Sequence, residues 1–219
     1  MPIANHESYL ADLSTELRMH WPKNRLLHVV CHGHSVPAGY FATPMVDTFN
    51  AYPHLLHCLL KSRFPYAVLN VIVTAIGGES ADAGAERFAA DVLSHVPCVV
   101  TIDYGLNDRR IGMAAAENAW RMMIEQALAR DTRVILLTPT PEITWSNPDD
   151  PQIQLLRQHA EQIRRLAGEY AIGVADSLLA FERAIANGSH LQNLLSWPNH
   201  PNRAGHQLVA AEIAHWFPA

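Results

Sequence analysis

Residues 26–35 read LLHVVCHGHS, an apolar run that ends in a glycine followed by His34 and Ser35. Four comparable apolar runs follow, at residues 67–73, 98–102, 133–137 and 172–175. β-Branched residues and leucines occupy both faces of these runs, which is typical of strands in a parallel sheet covered on both sides. We therefore predict that residues 26–31 form the first of five buried strands.

Amphipathic segments separate these strands. Apolar residues recur at helical spacing within residues 49–60, 116–128, 153–167 and 209–217, a pattern that core packing explains without a cofactor. The alternation of strands and helices predicts βαβ units with right-handed crossovers. The 219 residues are enough for one domain, so we expect residues 1–219 to form a single three-layer α/β/α domain.

Composition argues against several classes of partner. The net charge is −5 and no basic run occurs, which argues against binding to nucleic acid or to an anionic membrane. The three cysteines have no short spacing, so they fit neither a disulfide framework nor a zinc cluster. Residues 1–10 lack the basic and apolar regions of a signal peptide. We expect a cytoplasmic protein, with earlier processing of the N-terminus left open; the sequence does not indicate the oligomeric state.

Polar segments follow the first three predicted strands. Ser35 lies beyond the first strand, Gly78 beyond the second and Asn107 beyond the third. Parallel strands end at the same edge of an open sheet, where ligands bind, so we expect these residues to share one site. They offer a hydroxyl nucleophile, backbone N–H groups of Ser35 and Gly78, and a neutral amide donor, which are the groups that acyl transfer needs. Taken singly, each also suits a helix cap or a turn.

Histidines supply two further readings. His200 lies between Pro198 and Pro201, in a stiff loop that suits a positioned general base. His32 and His34 are two residues apart on a strand, so their side chains share a face, and such pairs bind zinc. A metal-dependent hydrolase using His32 and His34 is therefore one alternative, but the expected site contains no metal and no cofactor.

Together these segments resemble the SGNH subgroup of the GDSL hydrolases. The family is named for a serine, a glycine, an asparagine and a histidine, which fall here, in the family's order, on Ser35, Gly78, Asn107 and His200. Residues 105–108 read GLND, close to the family's G-x-N-D, and residues 200–205 read HPNRAG, which matches H-P-n-x-x-G. The resemblance extends from about residue 27 to residue 217.

The resemblance implies a flavodoxin-like five-stranded parallel sheet of order 2-1-3-4-5. It also implies hydrolysis of a small acyl ester, for example an O-acetyl group on a sugar, through an acyl-serine. In that reading Ser35 is the nucleophile and His200 is the base. The oxyanion is held by the N–H groups of Ser35 and Gly78 and by the side chain of Asn107.

Two positions depart from the family pattern. His34 precedes the serine, where the family usually has aspartate, and Trp197 stands where the family has the aspartate that orients the histidine. A tryptophan side chain cannot accept the imidazole Nδ1–H. We therefore expect a Ser–His dyad oriented by a backbone carbonyl, most simply that of Trp197, with a distant acid as the alternative. We expect a working but less acid-tolerant enzyme; a non-catalytic binding module on the same fold is the other alternative.

Two loops are expected to shape the substrate pocket. They cover residues 36–47 and 139–151, and the second contains four of the chain's prolines. Long loops at this edge of an α/β sheet are often functional. The candidate pocket residues are His34, Tyr40, Phe41 and Trp145.

Overall fold

The computed structural model describes residues 2–218 and centres on a parallel sheet with the strand order β2-β1-β3-β4-β5. The strands are β1 (Leu26–Gly33), β2 (Val68–Val73), β3 (Val99–Asp103), β4 (Arg133–Leu137) and β5 (Gly173–Ala175). Neighbouring strands pair in parallel throughout this sheet. The predicted fold class and strand order are confirmed, and each strand begins and ends within two residues of its predicted bounds.

Helices cover both faces of the sheet. They are α1 (His6–Tyr9), α2 (Ala11–Leu17), α3 (Ser35–Ala38), α4 (Tyr52–Arg63), α5 (Ala81–Asp91), α6 (Met113–Leu128), α7 (Pro151–Tyr170), α8 (Ser177–Ala186) and α9 (Arg203–Ala214). An antiparallel hairpin of β6 (Leu195–Trp197) and β7 (His200–Pro201) lies outside the main sheet. The sequence patterns did not indicate α5, because alanines and a glycine form most of its buried face.

Successive residues of the strands go to opposite faces. In β4, Ile135 and Leu137 join one buried cluster, and Val134 and Leu136 join the other. Helices α4 and α9 pack together in the first cluster, and α5 and α6 pack together in the second. This double coverage explains why the strands carry apolar residues on both faces.

The apolar pattern misplaced the start of α4. Phe49 was predicted to belong to this helix, but it lies in a short 3-10 turn and is 73% exposed. The helix begins instead at Tyr52, followed by Pro53. Proline suits the first turn of a helix, where its missing N–H has no intrahelical partner in any case.

The end of β1 requires a glycine. Gly33 pairs with Asp103 in the sheet, and a Cβ at residue 33 would lie 2.4 Å from the Asp103 carbonyl oxygen. No side chain fits that distance, so glycine lets β1 run against β3 up to the point where α3 begins. This close packing brings Ser35 to the carboxyl edge of the sheet.

Candidate active site

The structure brings Ser35 and His200 into direct contact. Ser35 is the first residue of α3, directly beyond β1, and His200 begins β7, and both are buried. The Ser35 Oγ lies 2.9 Å from His200 Nε2. A hydroxyl within hydrogen-bond reach of an imidazole nitrogen is the arrangement that activates a serine nucleophile.

The acceptor for the other nitrogen of His200 is a backbone carbonyl. His200 Nδ1 lies 2.8 Å from the carbonyl oxygen of Phe41. Because that oxygen can only accept, we assign the proton to Nδ1, which leaves Nε2 free to accept the Ser35 hydroxyl proton. The predicted type of acceptor is found, but its assignment to Trp197 is wrong. The carbonyl that lies against His200 Nδ1 is that of Phe41, and the Trp197 residue is 61% exposed.

A tight turn after α3 carries Phe41 to this position. Gly39 ends the helix with φ of 90°, a left-handed conformation that favours glycine. The Tyr40 N–H then donates to the Ser35 carbonyl at 3.0 Å, and the Asp47 N–H donates to the Gly39 carbonyl at 2.8 Å. These bonds fold the chain back past Ser35, so the carbonyl of Phe41 faces the histidine.

The His200 loop is held from both sides. The Ser196 hydroxyl donates to the carbonyls of His200 at 3.2 Å and Pro201 at 3.1 Å. The side chain of Asn202 caps α9 by accepting from the Ala204 N–H at 2.8 Å. The H-P-N segment therefore fixes the position of His200 through a hairpin on one side and a capped helix on the other.

His34 and Asp103 form a buried pair next to Ser35. His34 Nδ1 accepts from the Val36 N–H at 3.2 Å, and its Nε2 lies 3.4 Å from Asp103 Oδ1. His34 is 1% exposed, so the prediction that it lines the substrate pocket is wrong. Instead, its ring caps the turn that presents Ser35. The sequence analysis missed Asp103, although its place at the end of an apolar strand was a usable signal.

The two other segments predicted to share the site also meet. Asn107 Nδ2 donates to the Glu79 carbonyl at 2.8 Å, next in the chain to Gly78. An amide nitrogen carries two protons, so Asn107 keeps a second donor. Within residues 2–218, neither the Ser35 N–H nor the Gly78 N–H donates to a protein acceptor. Three donors are therefore available near the carboxyl edge of β1, β2 and β3.

Asp108 anchors this region rather than taking part in the Ser–His contact. Its carboxylate accepts from the Ala81 N–H at 2.8 Å and from the indole Nε1 of Trp120 at 2.7 Å. Burial raises the pKa of Asp108 to about 6, although both hydrogen bonds oppose the shift. The side chain joins the Asn107 segment to the start of α5 and to α6.

The aromatic pocket candidates fall in different places. The Tyr40 ring lies 6.1 Å from the His200 ring, and it contacts the position of Gly77, where a Cβ would be 2.8 Å away. Phe41 and Trp145 are only 8% and 7% exposed and belong to the core. Of the three aromatic candidates, the structure therefore places the ring of Tyr40 beside the base. Phe41 contributes through its carbonyl, which the type of its side chain does not indicate.

His32 is occupied by other contacts. Its Nδ1 lies 2.9 Å from Thr74 Oγ1, and its Nε2 lies 3.1 Å from the Gly84 carbonyl and 3.0 Å from the Tyr104 hydroxyl. Burial, and then the charge of Arg87, lowers the pKa of His32 to about 4. Both ring nitrogens are used, and residues 2–218 hold no group of three His, Cys, Asp or Glu side chains suited to a metal.

The environment of His200 favours its neutral form. Burial is the largest cause of a lowered pKa, and the nearby His34 acts in the same direction; the Phe41 carbonyl opposes them. A general base must be neutral to accept a proton, so a lowered pKa extends activity to lower pH. The direction of this pKa shift runs against the expectation of reduced acid tolerance, because a carbonyl without net charge stabilises the imidazolium less than a carboxylate does.

Comparisons with known proteins identify the family of this chain. The model of the GDSL-like Lipase/Acylhydrolase family matches residues 31–208, which is more than half of the chain. An acetylxylan esterase of Geobacillus stearothermophilus is 23% identical over 165 residues, covering 69% of this chain and 74% of that protein.

Solved structures show the same fold. An α/β hydrolase from the metagenome of Lake Arreo, Spain, superimposes with a TM-score of 0.76 at 22% identity, over 87% of this chain and 94% of that one. The acetylxylan esterase of G. stearothermophilus has a TM-score of 0.76 at 21% identity, with the same coverage. Two structures of that esterase are catalytic mutants, one with a serine and one with a histidine replaced by alanine.

Among residues 2–218, no helix is both long and apolar enough to cross a membrane.

Proposed function

The chain belongs to the GDSL-like lipase/acylhydrolase family and is an ester hydrolase, and we propose that it cleaves small acyl esters through a Ser35–His200 dyad. The observation that carries this proposal is the linear set of contacts from Ser35 Oγ to His200 Nε2, at 2.9 Å, and from His200 Nδ1 to the Phe41 carbonyl, at 2.8 Å. These contacts connect the proposed nucleophile to the proposed base, and the base to the acceptor that orients it.

The proposed reaction has two halves. In the first, Ser35 Oγ attacks the acyl carbon while His200 Nε2 takes the hydroxyl proton. The tetrahedral intermediate collapses to an acyl-serine when His200 passes that proton to the leaving alcohol. In the second half, His200 takes a proton from water, the resulting hydroxide attacks the acyl-serine, and Ser35 recovers its proton as the acid leaves.

The oxyanion is proposed to bind the Ser35 N–H, the Gly78 N–H and the free proton of Asn107 Nδ2. The support is that the first two groups have no protein acceptor within residues 2–218 and that the third is fixed by its bond to Glu79. Removing one such donor typically costs about 3 kcal/mol of transition-state stabilisation.

A backbone carbonyl can replace the family's aspartate in one of its two tasks. The carbonyl holds the ring and selects the Nδ1–H tautomer. In a serine protease, changing the aspartate to asparagine lowers kcat about 10⁴-fold, largely because the histidine then adopts the wrong tautomer. The carbonyl stabilises the imidazolium less than a carboxylate would, because it carries no net charge. We therefore expect an active enzyme with a base of lowered pKa.

The proposed substrate is an acetylated carbohydrate. The support is the matched acetylxylan esterase, together with the ring of Tyr40, which lies beside His200 and against Gly77. We expect this ring to limit the length of the acyl group. We expect hydrolysis of p-nitrophenyl acetate to exceed that of the butyrate. Release of acetate from acetylated xylo-oligosaccharides tests the alcohol part of the proposal.

The dyad is tested by labelling with a fluorophosphonate probe. The native protein should be labelled, Ser35→Ala should not, and Ser62→Ala, a change of an exposed serine on α4, should be labelled like the native protein. Absence of labelling in the native protein would favour the non-catalytic binding module instead. Loss of ester hydrolysis on treatment with a strong chelator would favour the metal-dependent alternative.

A further inference from the structure

A partly buried ion pair lies next in the chain to the proposed oxyanion donor Gly78. Glu79 follows Gly78 in the chain, and its carbonyl accepts from Asn107 Nδ2 at 2.8 Å. Its carboxylate accepts from Arg87 Nε at 3.0 Å and from Arg87 Nη2 at 2.7 Å. The two charged side chains are only 17% and 16% exposed. One residue is therefore held at both its backbone and its carboxylate, between two of the three donors.

Arg87 uses every donor of its guanidinium group. Besides the bonds to Glu79, Nη1 donates to the Thr74 carbonyl at 2.6 Å and to Asp91 Oδ2 at 3.0 Å, and Nη2 donates to the Tyr104 hydroxyl at 3.2 Å. Thr74 follows β2, and Tyr104 lies three residues before Asn107. A planar fork with five fixed donors joins these segments in a way that a lysine ammonium cannot reproduce.

Other contacts hold the two sides of Gly78. The Ile76 N–H donates to the Gly33 carbonyl at 3.0 Å, the Glu79 N–H donates to the Ile76 carbonyl at 3.4 Å, and the Tyr40 ring lies against Gly77. Gly78 is exposed and has φ of 85°, and a Cβ there would meet nothing within 4 Å. The carbonyl of Gly78 accepts from Arg110 Nη2, an exposed side chain. Without the partly buried ion pair, the direction of the Gly78 N–H would depend on the turn from Ile76 to Glu79, on the exposed contact with Arg110, and on a glycine with many accessible conformations.

We propose that Arg87 and Glu79 are positioning residues of the oxyanion site, which act by fixing the Gly78 N–H and the Asn107 amide. The inference rests on the proposed function, since it assigns a role to groups next to the proposed donors. It predicts that breaking the pair lowers transition-state stabilisation more than it lowers substrate binding, because the oxyanion exists only after attack.

Arg87→Lys and Glu79→Gln test the proposal, with Arg121→Lys as the matched control. Arg121 also has several carboxylate partners, Glu117 and Glu169, but it joins α6 to α7. With p-nitrophenyl acetate, we expect kcat to fall by about 10- to 100-fold in Arg87→Lys, with KM changed less than about 2-fold. We expect a smaller fall in Glu79→Gln, which keeps one acceptor, and none in the control.

A boronic acid that forms a tetrahedral adduct with serine provides the second measurement. If the pair positions the donors, the affinity for the boronic acid falls by the same factor as kcat/KM across the variants. The proposal is overturned if kcat is unchanged, if boronic acid affinity is retained while kcat falls, or if the activity lost equals the fraction unfolded at the assay temperature.

Two further arms keep the test decisive. If Arg87→Lys does not fold, Tyr104→Phe removes only the hydroxyl that contacts Arg87, Glu79 and His32. This change should lower kcat and boronic acid affinity together, and native values for both would overturn the proposal. If the native protein itself neither hydrolyses esters nor reacts at Ser35, the proposed function fails, an outcome distinct from an active native enzyme with unaffected variants.

Discussion

Trp197→Asp restores the carboxylate that the family has three residues before the histidine, and we predict that it does not improve the enzyme. His200 Nδ1 already donates to the Phe41 carbonyl at 2.8 Å. Trp197 is 61% exposed, so its removal should change the free energy of unfolding by no more than about 0.5 kcal/mol. The substitution therefore tests whether the observed acceptor is sufficient.

The expected effect follows from two opposing terms. A hydrogen bond to a charged acceptor contributes about 1.5–3 kcal/mol, against about 1 kcal/mol for a neutral one, so a carboxylate would gain roughly 0.5–2 kcal/mol. To make that bond, His200 must release the Phe41 carbonyl, and an unpaired buried carbonyl costs about 1–3 kcal/mol. These terms cancel, and we expect kcat to stay within about 3-fold of the native value, because 1.4 kcal/mol is a factor of ten.

The assay is the pH dependence of kcat and kcat/KM with p-nitrophenyl acetate, a substrate too small to need contacts with residue 197. Trp197→Asn is the matched control, since it has the same shape as Trp197→Asp without the charge. A kcat for Trp197→Asp more than tenfold above that of Trp197→Asn, with the acid limb moved to higher pH, would refute the assignment of Phe41 as the acceptor.

Three shorter predictions follow from individual contacts. Burial lowers the pKa of His200, so the acid limb of kcat/KM should lie below the ordinary histidine value of 6.5. Activity should be lost only as the pH falls through that lower pKa, and a midpoint above 6.5 in the pH–rate profile would contradict this. Gly84→Ala places a Cβ 2.3 Å from the Tyr104 hydroxyl, so thermal or urea unfolding should show a loss of about 1–3 kcal/mol, together with reduced kcat; native stability would contradict it. Gly33→Ala places a Cβ 2.4 Å from the Asp103 carbonyl oxygen, which is backbone and cannot rotate away. The free energy of unfolding should therefore fall by about 3 kcal/mol, and a fall below about 1 kcal/mol would count against the close packing of β1 on β3.

The fold was predictable because its signals are local. Each strand of the sheet is an apolar run. Neighbouring residues such as Val134 and Ile135 point to opposite faces and are both buried, which indicates helices on both faces of the sheet. Helix α5 escaped because its buried face is made mostly of alanine and glycine, which carry little hydrophobic contrast. The β6–β7 hairpin escaped because strands of two or three residues leave no period to detect.

The site was predictable in part for the same reason. Ser35, Gly78 and Asn107 follow successive strands, and parallel strands bring their carboxyl ends to one edge. Residue type alone did not separate a pocket position from a buried one. His34 was expected in the pocket, and the structure places it next to Ser35, against Asp103.

The sequence by itself determined the strands of the sheet and the residue types at the site, and its resemblance to the family implied the order of the strands. Only the tertiary structure decided which group orients His200. The physical reason is that every residue carries the same backbone carbonyl, so no side chain marks the one that serves as the acceptor. The turn at Gly39 places the Phe41 oxygen 2.8 Å from His200 Nδ1, across 159 residues of sequence, while Trp197, three residues from the histidine, remains exposed.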